Sequence, residues 1–156
     1  MDILKSTRHS KITGTFGEVL VLYWLSKHGF ECAQVDHTGI DLIARSPHTG
    51  EFMGISVKSR SRSSGTEHTS VSITKDNFTK AEAACKAFGC VPYLAVVVDA
   101  AGLIRAYLLP MSHLLEIYPV GKRVCSWSMR EKALDAYEAD EAIKRFTFDA
   151  RTERWW

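Results

Sequence analysis

A chain of 156 residues fits one domain of common size and can bury a core without disulfide or metal staples. Hydrophobic residues make up 46% and charged residues 24%, which excludes a disordered chain, and the longest apolar stretch, Val19 to Leu25, is too short to cross a bilayer. A net charge of +2 does not by itself imply a nucleic-acid partner, and with no long apolar core behind Met1 a cytoplasmic protein without membrane contact is expected.

After a polar, basic start (Lys5, Arg8, His9, Lys11), the spacing predicts a helix from about Thr15 to His28, closed by Gly29. Apolar residues lie on almost every side of it, so much of its circumference is expected to be buried. Three strands follow, Phe30–Val35, Ile40–Arg45 and Phe52–Lys58, the last two joined by the turn Ser46-Pro-His-Thr-Gly-Glu51. The run from Lys58 to Gly65 is basic and rich in serine and reads as a mobile loop. A second helix from Lys75 to Phe88 is closed by Gly89, with Phe78, Ala81, Ala84, Cys85 and Phe88 at helical spacing. Pro92–Val98 is a strand covered on both faces, and Leu103–Leu109 follows across a turn. Beyond it the pattern predicts a short helix over Met111–Ile117, a strand near Arg123–Trp127 and a helix from Met129 to about Arg145. The order αβββαβ predicts an α/β fold, a mixed sheet flanked by helices, in one domain over residues 1–156 with a core at about 10–110 and an extension at 111–156.

Cys32, Cys85, Cys90 and Cys125 lack paired spacing and read as free thiols, with no zinc site. His37, His48, His68 and His113 share no ligand spacing and read as surface or loop residues. Trp127, Trp155 and Trp156 suit core packing or a dimer contact better than base stacking.

Two features carry chemistry. A hairpin turn centred between His48 and Thr49 pairs Arg45 with Phe52, Ile43 with Gly54 and Asp41 with Ser56, and alternation puts Ser56 and Lys58 on one face beside Asp41. Glu18 has Val21, Leu22 and Leu25 at i+3, i+4 and i+7, so its carboxylate lies along an apolar stripe and needs a partner. A salt bridge to Lys58 or to an N-terminal cation would serve, and so would a metal ion.

The segments Gly14-Thr-Phe-Gly-Glu18, Gly39-Ile-Asp-Leu-Ile-Ala44 and Gly54-Ile-Ser-Val-Lys-Ser-Arg60, followed by Ile73-Thr-Lys-Asp-Asn-Phe78 and Pro92-Tyr-Leu-Ala-Val-Val-Val98, together resemble the core of PD-(D/E)XK nucleases. Archaeal Holliday junction resolvases and intron-associated endonucleases are nearest in pattern. The resemblance implies a restriction-endonuclease-like core and a metal-dependent endonuclease, with Glu18, Asp41 and Lys58 as catalytic residues and branched DNA as a candidate substrate. It makes Asp41, the Val57 backbone carbonyl and Glu18 the holders of Mg²⁺ or Mn²⁺, and implies a homodimer. Ser56 stands where the family has an acid, so a negatively charged ligand is missing. Glu18 or Glu51 is the candidate replacement.

Arg60 and Arg62 beside the site, with Lys11 before the first helix and Lys75 at the start of the second, are the expected DNA contacts, made to phosphates. The alternative is a nuclease-fold DNA-binding module whose metal site is lost at Ser56. Dependence of cleavage on a divalent metal separates the two.

Overall fold

The computed structural model describes residues 3–153. Trp155 and Trp156 lie outside them. Helix α1 spans His9–Lys27, starting six residues before the apolar spacing predicted because the polar and basic residues ahead of Thr15 also take helical geometry. It ends where Gly29 turns to φ 85°, a backbone state that only glycine adopts freely. The sheet strands are β1 (Glu31–His37), β2 (Ile40–Arg45), β3 (Phe52–Ser61), β5 (Val91–Ala100), β6 (Leu103–Pro110) and β8 (Lys144–Asp149), in spatial order β1-β2-β3-β5-β6-β8. Only β3 and β5 run parallel, joined by a crossover through β4 (Val71–Thr74) and α2 (Lys75–Phe88). The remaining elements are α3 (Met111–Ile117), β7 (Val124–Trp127), which pairs with β4, and α4 (Glu131–Ala139).

Helix α1 covers one face of the sheet, its Val21 and Leu25 packing on Leu42, Ala44, Ile55 and Val57 and on Ala95, Val97 and Leu108. The other face carries Leu94, Val96, Val98, Tyr107 and Leu109, covered by Phe78 and Ala81 of α2, Met111 and Leu114 of α3, and Trp127, Tyr137 and Ile143. Both faces of β5 are therefore buried, as its unbroken apolar run requires. Gly17 brings α1 onto β3 so closely that a β-carbon there would collide with Ser59. Among the described residues no helix is long and apolar enough to cross a membrane.

Four expectations change. The helix expected to reach Arg145 stops at Ala139, and Lys144–Asp149 is an edge strand with Phe146 opposite Ala106 and stacked on Trp24. Cross-strand pairing outweighs helix propensity there. The serine-rich run after Lys58 stays in strand to Ser61, where the backbone of Arg62 bonds to Asp99. The pair β4–β7 was hidden by the shortness of β4. The outer side of α1 is open: Ile12, Phe16, Val19 and Tyr23 are exposed, because no element lies beyond that helix.

Candidate functional site

The β2–β3 ladder sets Arg45 against Phe52, Ala44 against Met53, Ile43 against Gly54 and Leu42 against Ile55. The backbone pairing then stops. At the next position the Asp41 carboxylate takes over, its Oδ2 accepting the Val57 N–H at 2.7 Å. A side chain thus replaces the ladder bond where the strands part, and one oxygen of Asp41 is engaged. Val57 packs toward α1, so alternation along β3 sets Ser56 and Lys58 on its opposite face, and Asp41 meets this stretch through its bond to the Val57 N–H. Ser56 is buried and Lys58 half-buried.

Glu18 reaches this group from α1. Burial, then the nearby Asp41 carboxylate, raises its carboxyl above the usual range, against the opposing pull of Lys58. Burial likewise lowers the Lys58 ammonium, with Asp41 and Glu18 favouring its charge and Arg60 and Lys80 opposing it. Two carboxylates and one lysine therefore sense each other, yet among the described residues no direct ion pair joins Lys58 to either acid. Glu51 is occupied elsewhere, accepting the Tyr93 hydroxyl.

The available donors are oxygens: the Asp41 and Glu18 carboxylates, the Ser56 hydroxyl and the Val57 carbonyl. No cluster of three His, Cys, Asp or Glu side chains forms a metal cage among the described residues. Two carboxylates with neutral oxygens beside them nevertheless fit a hard cation that keeps several waters, because such an ion opposes both the burial and the Asp41 repulsion that raise Glu18.

A groove of about 510 Å³ leads away from this cluster, between the start of α1 and the second half of β3. Lys5, His9, Lys58 and Arg60 line it together with the hydroxyls of Ser6, Ser10 and Thr13, and no carboxylate does. Lys5 donates to the Ser61 carbonyl at 2.8 Å. Of the expected contacts, Arg60 faces this groove. Arg62 does not: its guanidinium donates to the carbonyls of Ser70 at 3.0 Å and Thr69 at 3.3 Å and pins the following loop. Lys11 lines a neighbouring trough on α1 with Arg8 and Phe16. Lys75 uses its backbone N–H to bond to Arg123, and Lys80, paired with Asp76 at 2.6 Å, is the α2 cation close enough to act on Lys58. The groove-facing Ser10 and Thr13 lie three residues apart at the start of α1, a signal hidden by placing the helix start at Thr15.

No protein-family model matches the chain, and no curated protein matches it. Among solved structures, the chain is similar to Hjc of Archaeoglobus fulgidus, a Holliday junction resolvase from an archaeal hyperthermophile. The two share 18% identity at a TM-score of 0.56, over 79% of this chain and 88% of the other. The fold is restriction-endonuclease-like. That agrees with the mixed six-stranded sheet flanked by helices.

Proposed function

We propose that this chain is an endonuclease that hydrolyses DNA phosphodiester bonds with the help of Mg²⁺ or Mn²⁺, and that branched DNA is its substrate. The observation that carries the reading is the convergence of Asp41, Glu18 and Lys58 where β2 and β3 part, at the mouth of a cationic, hydroxyl-lined groove. The fold shared with a Holliday junction resolvase supports the choice of substrate.

Asp41, Glu18 and the Val57 carbonyl would hold the metal, which when bound makes a coordinated water more acidic and offsets phosphate charge. The Asp41 carboxylate is fixed by the Val57 N–H, so its free oxygen is held in one direction without rotamer loss. Lys58, poorly solvated and close to both acids, is placed to stabilise charge developing on the scissile phosphate. Lys5 and Arg60 would grip neighbouring phosphates and fix the strand along the groove. Two copies of the chain would offer two such sites to a branch, and light scattering of the protein with and without a junction measures that pairing.

The second reading, a binding module without catalysis, is favoured by one observation: Ser56 is 4% exposed and neutral where an acid is expected. Labelled four-way junctions and matched linear duplexes with Mg²⁺, Mn²⁺ or chelator separate the two. Cleavage requiring metal and lost in Asp41→Asn and Lys58→Ala supports the enzyme. Salt-dependent binding without cleavage in any metal establishes the module.

A further inference from the structure

Helix α1 has a second apolar side that the nuclease reading does not use. Gly17, Val21 and Leu25 face the sheet, whereas Ile12, Phe16, Val19 and Tyr23 recur at intervals of four, three and four residues and remain 58%, 42%, 47% and 59% exposed. That spacing sets four large side chains in one row along about 17 Å of helix. Single exposed apolar residues are ordinary on a protein surface, but a contiguous row is the pattern of a contact face.

The row has relief. A trough of about 550 Å³ lined by Arg8, Lys11 and Thr15 runs along one side of Ile12 and Phe16. A smaller one of about 170 Å³ runs along the other side toward Ser61, Val97 and Asp99. A ridge between two troughs matches the interlocking surface of a second helix better than a flat bilayer.

Charge selects the occupant. Arg8 and Lys11 flank one end of the row and Lys27 follows one turn beyond Tyr23, while the only carboxylate of α1, Glu18, is directed toward Asp41 and Lys58 on another side. A second copy of α1 is disfavoured. Antiparallel pairing would bring Arg8 and Lys11 toward the partner's Lys27, and parallel pairing would set each cation against its own counterpart. We propose that α1 docks an amphipathic helix of a partner protein whose apolar row is flanked by Asp and Glu. This surface stands independently of the nuclease reading, although its smaller trough shares His9, Thr13 and Arg60 with the groove.

Fluorescence anisotropy on the full chain tests it with two labelled helical peptides that share one apolar row, flanked by Glu in one and by Lys in the other. The Glu peptide should bind at least about tenfold more tightly than the Lys peptide at low salt and weaken as salt rises. Phe16→Ser and Tyr23→Ser, both at exposed positions, should each weaken it about tenfold with unchanged circular dichroism. Arg8→Glu combined with Lys27→Glu should invert the preference. Equal affinity for the two peptides, no binding of the Glu peptide, or binding that survives both serine variants overturns the proposal. So does self-association, or co-sedimentation with phosphatidylserine vesicles, that Phe16→Ser abolishes, since the row then belongs to a second copy or to a membrane.

Discussion

Glu18 shows how far a single side chain could be understood before the fold was known. Its apolar neighbours along the helix demanded a partner, and the fold supplies Asp41 and Lys58, one repelling and one attracting. An acid with a raised pKa binds its proton more tightly in the folded state, so it costs stability when charged and ceases to do so as pH falls through that raised value toward the unfolded one. Glu18→Gln should therefore melt higher than the native protein near neutral pH, and the gap should close on acidification; thermal melts across pH measure it. Ser56→Glu should act oppositely without metal, because it adds a buried carboxylate beside two others at a cost on the order of a few kcal/mol. Mg²⁺ should restore its melting temperature more than it raises that of the native chain. The register that sets Arg45 against Phe52 and Ile43 against Gly54 was legible because period-two alternation and a short turn leave little freedom in a hairpin, whereas the expected pairing of Asp41 with Ser56 gives way to the Asp41 bond to the Val57 N–H. The role of Arg62 was not, because its partners are loop carbonyls whose positions no local pattern specifies.

Elements with strong local punctuation were readable to the residue. Helix α2 lies at Lys75–Phe88 with Gly89 left-handed at its end, as the sequence predicts, and Thr74 accepts the Asn77 N–H at its start. The C-terminal third lacks such signals: the helix formers from Glu131 to Arg145 are continuous, and only pairing with β6 makes the last of them strand. Between α4 and β8, Asp140 accepts the Ala142 N–H and binds His113 of α3 at 2.7 Å. That hydrogen bond, donated by the imidazole and accepted by the carboxylate, raises His113 and lowers Asp140. The histidine contribution is full below its unfolded pKa and is lost as pH rises through the raised folded value; the aspartate contribution is lost as pH falls through its lowered one. The pair is thus worth most between these limits, about 1 kcal/mol or less at this partly exposed position. Asp140→Asn, which keeps the bond to Ala142, should be less stable than the native chain at about pH 5.5 and nearly equal to it once His113 is neutral. Urea midpoints at both pH values check this, and a gap that is the same at both contradicts it.

Taken whole, the chain is tied together by the face of the sheet away from α1. Trp127 and Tyr137 stack at 4.1 Å, Tyr107 and Tyr118 meet them edge-on or tilted, and the Tyr137 hydroxyl donates to the Ser128 carbonyl at 2.9 Å. This cluster joins β7 and α4 to β6, so the residues after 110, whose purpose the sequence left silent, complete the core beneath β5 and β6. Trp127→Ala should cost about 3–5 kcal/mol, and denaturant curves followed by fluorescence and by circular dichroism should shift together as one transition. Separate transitions would mean that the C-terminal elements fold independently. The mixed sheet and its flanking helices followed from alternation and helical spacing, whereas the joining of the two halves depends on contacts between residues far apart in sequence. The central claim is that Asp41 and Glu18 hold a divalent cation beside Lys58. Titration of the full chain with Mn²⁺, read by the paramagnetic signal of the free ion, tests it most directly. The account predicts one site per chain, abolished by Asp41→Asn and weakened by Glu18→Gln; Mn²⁺ binding that is absent, or that persists unchanged in Asp41→Asn, contradicts it.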